Sequence, residues 1–200
     1  VLIEKPVGLD AAEATAIGEA AAAAGVFCME AMWTLFLPKF DVARQVLDQG
    51  WLGPMRSVLA DMGEWFEQDH RIMRADLAGG PLLDLGTYPI TFATWAMGVP
   101  DRVVAVATPA PNGINGQLSI ALATASGATA SLQCTTLADT PETACIAGTD
   151  GRVDFGRVFY RPGPLTVALR DGQVLHWDEP AVAHGALHFE AAEVTRRITA

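Results

Sequence analysis

The apolar residues change their spacing near Arg102, and this change limits the possible folds of the chain more than any other feature. Before Arg102, a strand, a helix and a second strand follow one another within about thirty residues, which is the spacing of a βαβ unit in a parallel sheet. After Arg102, apolar residues alternate with small or polar ones, as at Leu118, Ile120 and Leu122. That alternation is typical of strands buried on one face. The sequence therefore predicts an α+β fold, in which a remnant βαβ unit precedes a large, mainly antiparallel sheet with helices on one face.

The βαβ unit has local signals at each of its ends. Val1–Ile3 and Val26–Met29 are short apolar runs, and they predict two buried strands. Between them, Asp10 and Glu13 have the spacing of a helix N-cap and its N3 partner, and Gly25 marks the end of the helix. Because one such unit cannot cover both faces of its sheet, we expect it to be the tail of a larger doubly wound domain that begins upstream.

The sequence predicts a boundary after this tail, with residues 1–31 in one domain and residues 32–200 in a second. Asp150-Gly151 and Asp171-Gly172 predict two hairpin turns in the second domain. Its predicted elements are a helix over 38–49, a strand over 56–66, a buried helix over 82–97 that Pro89 kinks or starts, about six antiparallel strands after Arg102, and a last helix near Leu187.

Charge and composition exclude several classes of protein. The chain of 200 residues has a net charge of −10, which argues against a nucleic-acid partner because phosphate binding needs clustered basic residues. Its apolar stretches are interrupted before the ~20 residues of a membrane span, and no secretory signal is recognisable at the start. Cys28, Cys134 and Cys145 lack disulfide or zinc spacing, so we predict reduced thiols in the cytoplasm. His184 and His188 lack a third ligand, and no metal site is predicted.

Three short segments carry residue types that are used in catalysis: Glu4-Lys5-Pro6, MEAMW at 29–33 and AGGPLLDLGTYP at 78–89. Each segment alone has an ordinary structural explanation. Lys5 could be a solvated lysine at a strand end, and Trp33 could be a core aromatic residue. Asp84 could cap a helix, and Tyr88 could be a buried ring with its hydroxyl at the edge. The interpretation therefore depends on their combination.

Together, the three segments resemble the Gfo/Idh/MocA oxidoreductase family, named for glucose-fructose oxidoreductase and inositol dehydrogenase. E-K-P at the end of a Rossmann strand is a signature of that family. M-E-A-x-W with G-G-x-L-L-D-x-G-x-Y resembles its dihydrodiol dehydrogenase and glucose-fructose oxidoreductase branch, and the F-E-A-A-E-V segment at 189–194 extends the resemblance over nearly the whole chain. The sequence departs from the pattern at Leu35, where Arg is frequent, at Ala78, where a third glycine is usual, and at Pro81, where Ala is common. These departures weaken any transfer of substrate identity.

The resemblance implies a Rossmann domain that binds NADP or NAD, followed by an α+β domain that binds substrate and forms a homodimer through the open face of its sheet. The main cofactor-binding loop would lie upstream of Val1, so the chain alone is expected to bind the cofactor weakly or not at all. Glu4, Lys5 and Pro6 would lie beside the nicotinamide. Trp33 would line the pocket for a small sugar, polyol or diol substrate.

Oxidation of an alcohol requires proton removal as well as hydride transfer, and Tyr88 is the predicted group for the proton. A free tyrosine has a pKa near 10, so the phenolate needs stabilisation at neutral pH. A lysine ammonium ~4 Å away favours phenolate by up to about 4 kcal/mol at an effective dielectric constant near 20. We therefore predict Lys5, Asp84 and Tyr88 as the catalytic group. Asp84 would orient the substrate hydroxyl or the lysine from the helical turn that it shares with Tyr88, and Gly86 would let a substrate approach closely.

The predicted activity is hydride transfer between NAD(P) and a hydroxyl group of a sugar, polyol or diol. The alternative is a non-catalytic binding or dimerisation module that keeps the same fold, because fold alone does not fix function. The presence of Lys5, Asp84 and Tyr88 in one chain favours the enzyme.

Overall fold

The computed structural model describes residues 1–182 and 184–199. The predicted second domain ends at Ala200, which lies outside the described residues, and so does the side chain of His184. Within the described part of the chain, no helix combines the length and apolar character that crossing a membrane requires.

The N-terminal unit is a small βαβ arrangement, as its spacing predicts. Strand β1 (Leu2–Glu4) pairs in parallel with β2 (Met29–Ala31), and helix α1 (Ala11–Ala23) connects them. The Asp10 carboxylate accepts hydrogen bonds from the backbone N–H groups of Ala12 and Glu13, so the predicted cap is confirmed. The second strand begins at Met29 rather than at Val26, because the N–H of Val26 still closes the helix end on the Ala21 carbonyl at 3.1 Å.

The larger sheet has eight strands in the order β10-β9-β8-β7-β3-β6-β5-β4. Neighbouring strands are antiparallel except β3 and β6, which pair in parallel because helices lie in the connection that follows β3. Seven of the eight strands follow Gly98, one more than the predicted six, and Asp150-Gly151 and Asp171-Gly172 lie at hairpin turns as predicted. The strands are β3 Met55–Gly63, β4 Arg102–Pro109, β5 Asn115–Ala123, β6 Thr129–Thr135, β7 Ala144–Gly148, β8 Gly151–Phe155, β9 Leu165–Leu169 and β10 Val174–Trp177.

Four further α-helices lie in the described part of the chain: α2 (Pro38–Asp48), α3 (Pro81–Asp84), α4 (Thr87–Met97) and α5 (Leu187–Thr199). The single helix predicted over 82–97 is therefore wrong, because the chain breaks between α3 and α4 at Leu85 and Gly86. Pro89 lies in the first turn of α4, where its missing N–H would have no helical partner. Asp84 and Tyr88 consequently belong to two consecutive helices rather than to one continuous turn.

The helices cover one face of the sheet and leave the other open. Helix α4 packs on β3 and β6, while α3 packs on β5 and β6. Leu118, Ile120 and Leu122 are buried in the core beneath them, whereas Ser119 and Ala121 are exposed on the opposite face. The alternation in the sequence thus gives both the α+β class and the sidedness of the sheet.

Candidate active site

The first contact of the site joins the end of β1 to the end of α3. The Lys5 ammonium lies 2.6 Å from Oδ1 of Asp84 and donates a second hydrogen bond to the Asp84 backbone carbonyl at 2.7 Å. Both side chains are largely shielded from water, at 15% and 24% exposure. Residues separated by 79 positions are therefore held together by a charge-assisted pair.

A third residue, Arg71, completes the surroundings of the Asp84 carboxylate. Its Nη2 lies 2.9 Å from Oδ2, although the arginine side chain is 68% exposed. Burial raises the pKa of the Asp84 carboxyl, but the hydrogen bond and charge of Lys5, helped by Arg71, outweigh burial and hold that pKa below its usual value. Asp84 is therefore ionised at neutral pH and fixes the ammonium of Lys5. Of the two roles left open for Asp84 by the sequence, the contacts favour orientation of the lysine.

Tyr88 lies beside this pair, on the first turn of α4. The Lys5 ammonium is 5.0 Å from the centroid of its ring, and the indole N–H of Trp33 donates to its hydroxyl oxygen at 3.1 Å. The tyrosine is 7% exposed. The phenol of Tyr88 therefore has a hydrogen-bond donor on its oxygen and a positive charge near its ring.

Two cavities meet at this cluster. The first, of about 320 Å³, is lined by all three residues of the Glu4-Lys5-Pro6 segment and by Gly79 and Gly80. The second, of about 240 Å³, is lined by Tyr88 together with Phe66, Tyr160 and Arg161. Lys5, Arg71 and Asp84 belong to the lining of both cavities. The arrangement therefore offers adjoining spaces for two small groups with the Lys5–Asp84 pair between them.

Trp33 and Gly86, the two residues predicted to bind the substrate, lie outside the lining of both cavities. Trp33 reaches the site through the Tyr88 hydroxyl and through an edge-to-face contact with the ring of Tyr160, with centroids 6.4 Å apart. At Gly86, an added Cβ would lie 2.7 Å from the Leu82 carbonyl oxygen, so close packing already explains a glycine at this position.

The far wall of the second cavity was not predicted from the sequence. The ring of Tyr160 packs against that of Tyr88 at a tilt of 44°, with centroids 4.8 Å apart, and the guanidinium of Arg161 lies 5.5 Å from the ring of Tyr160. Burial, followed by the charge of Glu142, raises the pKa of Tyr160 to about 12, so its hydroxyl stays protonated at neutral pH. Tyr160 is one of only two tyrosines in the chain, and that rarity was the one signal that could have identified it.

The described residues offer neither a cluster of metal ligands nor a reactive thiol. Among residues 1–182 and 184–199, no group of three or more His, Cys, Asp and Glu side chains is placed to hold a metal ion. The three cysteines are free thiols. Burial raises the pKa of Cys134 to about 11, and burial together with Asp154 raises that of Cys145 to about 12. Thiols of this kind are poor nucleophiles near neutrality.

Comparison with protein families gives a match over more than half of the chain. The sequence model of the GFO/IDH/MocA C-terminal domain matches residues 40–154. Among curated proteins, trans-1,2-dihydrobenzene-1,2-diol dehydrogenase of Mus musculus is 36% identical over 172 residues, covering 84% of this chain and 50% of the relative. The enzyme of the same name from Bos taurus is 35% identical over 169 residues, with the same coverage. The chain thus spans about half the length of the curated relatives that it matches.

Solved structures with the same fold are also oxidoreductases. A 3-ketoreductase from Actinomadura kijaniata, crystallised with NADP and TDP-benzene, superimposes with a TM-score of 0.86 at 26% identity. The match covers 100% of this chain and 62% of the ketoreductase. An aldose-aldose oxidoreductase from Caulobacter crescentus, complexed with glycerol, gives a TM-score of 0.84 at 24% identity over 98% of this chain and 62% of its own, which establishes a shared fold.

Proposed function

The chain belongs to the GFO/IDH/MocA oxidoreductase family, and we propose that it forms the substrate-binding and catalytic part of an NAD(P)-dependent dehydrogenase. The substrate in this proposal is a sugar, a polyol or a diol, and the reaction is hydride transfer at one CH–OH group. The observation that carries the proposal is the contact of Lys5 with Asp84 beside the phenol of Tyr88. Relatives named as a diol dehydrogenase and as a 3-ketoreductase support the same reaction class.

In the proposed mechanism, Tyr88 exchanges a proton with the substrate hydroxyl. During oxidation the phenolate oxygen takes the hydroxyl proton, and during reduction the phenol returns a proton to the new alkoxide oxygen. Trp33 donates to the same oxygen, and the Lys5 ammonium lies near the ring, so negative charge on that oxygen is stabilised in advance. Asp84 holds Lys5 in place through two hydrogen bonds.

The cavity beside Glu4, Lys5 and Pro6 fits the nicotinamide end of the cofactor. Its walls combine the glycines Gly79 and Gly80 with the charged side chains of Lys5, Arg71 and Asp84, and its volume of about 320 Å³ is ample for one flat ring. When bound, NAD(P) supplies the hydride donor or acceptor. Because Lys5 lines both cavities, its ammonium group can contact the cofactor on one side and the substrate on the other.

The decisive experiment compares the two tyrosines of the site in the complete enzyme. Tyr88→Phe removes only the hydroxyl, so kcat should fall by roughly 10²-fold or more. Tyr160→Phe is the comparison within the same cavity: its hydroxyl stays protonated, so its loss should act mainly on KM, and kcat should fall far less than in Tyr88→Phe. Near-normal turnover by Tyr88→Phe would refute the assignment and favour Asp84 acting through a water molecule. If the wild-type protein oxidises no sugar, polyol or diol with either cofactor, the non-catalytic alternative is correct.

We further propose that the open face of the sheet forms a homodimer. One row of side chains crosses six paired strands on this face: Val104, Ala121, Ser131, Leu59, Cys145 and Asp154. Val104 is 60% exposed and Leu59 is 49% exposed, and the small residues between them leave a depression of about 740 Å³. A row of large apolar residues beside small ones suits close packing against a second copy of the sheet.

Light scattering at micromolar concentration tests this interface. The wild-type protein should have the mass of a dimer, and Leu59→Glu should convert it to a monomer because two carboxylates would be buried near the symmetry axis. Val99→Glu is the control, since Val99 is 87% exposed between α4 and β4. A monomeric wild type, or a dimer that Leu59→Glu leaves unchanged, would exclude this face as the interface.

A further inference from the structure

Lys39 is an unusual residue to find in the core of this protein. It lies in the first turn of α2 and is only 1% exposed, so its amine has almost no access to water. The amine donates a hydrogen bond to the backbone carbonyl of Arg161, 122 positions later in the chain. A buried ammonium is costly unless its partners compensate for lost hydration, so a lysine here needs a reason beyond filling space.

Glu179, which follows β10, supplies a second tie to the same segment. Its Oε1 accepts the backbone N–H of Lys39 at 3.0 Å, and its Oε2 accepts the backbone N–H of Gly163 at 3.0 Å. The charge of Glu179 also offsets part of the effect of burial, which lowers the pKa of Lys39 to about 8. Lys39 and Glu179 therefore fasten the backbone at Arg161 and at Gly163 to the start of α2.

The fastened segment carries one wall of the second cavity. Tyr160 and Arg161 line that cavity opposite Tyr88, and the ring of Tyr160 contacts the rings of both Tyr88 and Trp33. Lys39 and Glu179 do not line the cavity themselves. Their influence on a substrate would therefore pass through the position of the Tyr160–Arg161 backbone.

We propose that Lys39 and Glu179 are positioning residues that hold the Tyr160–Arg161 wall against Tyr88 and thereby set the affinity for the substrate. The proposal rests on the proposed function, because it assigns the second cavity to the substrate. It separates two tasks within the site. The Lys5–Asp84 contact holds the reacting groups, while Lys39 and Glu179 hold the wall that binds the rest of the substrate.

The test uses Lys39→Met in the complete enzyme, which removes the amine and keeps the side-chain length. KM should rise by about tenfold while kcat stays within about threefold, because the loss affects binding shared by ground state and transition state. Glu179→Gln removes the charge but keeps the size of the side chain, so it should disturb the fold less. It should raise KM by about threefold. Asp41→Asn is the matched control, since Asp41 is an exposed residue on the same turn of α2, and KM should not change.

Hydrogen exchange of the backbone amides gives a readout that does not depend on turnover. In both variants the amide of Gly163 should exchange about tenfold faster, while the amides of α4 keep their protection. Unchanged exchange at Gly163 in both variants would show that Lys39 and Glu179 do not hold this segment in place. Faster exchange at Gly163 with an unchanged KM would refute the role in substrate affinity. The same changes of KM and kcat in the control Asp41→Asn would refute it as well. Absence of activity in the wild type would instead count against the proposed function, and hydrogen exchange would still decide whether the tie exists.

Discussion

Two lysines define the two sides of the candidate site, and they lie in opposite environments. Lys5 is 15% exposed and paired with a carboxylate at 2.6 Å, whereas Lys39 is 1% exposed and donates its hydrogen bond to a backbone carbonyl. Lys5 lies beside the phenol of Tyr88, while Lys39 acts at a distance from the cavity. The two proposals thus assign the lysine beside a counter-ion to the chemistry, and the lysine that is buried away from water to the support of the cavity wall.

The comparison is tested most strongly by Lys5→Met in the complete enzyme. Loss of the ammonium removes the positive charge near the Tyr88 ring, so kcat should fall by roughly 10²-fold. The pH optimum of the residual activity should also move upward, because the ammonium group no longer stabilises negative charge on the proton-transfer group. Steady-state kinetics between pH 6 and about 10 measure both effects.

Lys39→Met is the natural counterpart, since it makes the same change on the other side of the cavity. If the comparison is correct, Lys5→Met lowers mainly kcat and Lys39→Met raises mainly KM. A Lys5→Met enzyme with wild-type kcat and pH profile would contradict the catalytic role of Lys5. Equal effects of the two variants on kcat would remove the distinction between the two lysines.

The sequence predicted the Lys5 side of the site but not the wall near Lys39, because the two sides are built from different kinds of contact. Glu4-Lys5-Pro6 and the Asp84–Tyr88 segment are short runs whose residue types indicate chemistry, and the structure brings Lys5, Asp84 and Tyr88 together. The period-two pattern after Arg102 likewise predicted the antiparallel sheet, because burial on one face requires alternation.

The wall that Tyr160 and Arg161 form could not be predicted in the same way. These residues lie in the connection between β8 and β9, with no motif and no periodicity, and the Arg161 carbonyl accepts a hydrogen bond from Lys39, which lies 122 positions earlier. The break of the helix at Leu85 and Gly86 was also missed, and Gly86 packs so closely on the Leu82 carbonyl and the Cys134 thiol that a Cβ would not fit there. Tertiary contacts of this kind leave little trace in local residue patterns.

A further prediction for Lys39 concerns the stability of the protein at alkaline pH. The pKa of Lys39 is about 8 in the folded protein and 10.5 in its ordinary state, so between these values the unfolded chain holds a proton that the folded chain has released. The free energy of unfolding should therefore rise with pH through this window, by about 1 kcal/mol per pH unit from this residue.

Urea unfolding of the wild type and of Lys39→Met at pH 7, 8 and 9 isolates the contribution of Lys39, at about 1 kcal/mol between the last two values. Cys134 and Cys145, whose pKa values burial raises, oppose the trend above the ordinary thiol pKa, but they are common to both proteins and cancel in the difference. Glu179 is the charged group that faces Lys39, and it is present in both proteins. A difference in stability that does not change with pH would mean that Lys39 titrates normally and is not held in a dry environment.

The smallest effect is expected from Arg71, the exposed partner of Asp84. Its side chain is 68% exposed, and ion pairs in water contribute only about 0–1 kcal/mol, so Arg71→Gln should change kcat by less than about threefold. The Lys5 contact with Oδ1 and with the Asp84 carbonyl does not involve Arg71 and should keep the ammonium in place. Steady-state kinetics beside Lys5→Met measure the contrast. If Arg71→Gln lost as much activity as Lys5→Met, the site would depend on a solvent-exposed guanidinium. Arg71 would then belong to the groups that act on the substrate. The distinction between a charged catalytic side and a buried supporting side would have to include it.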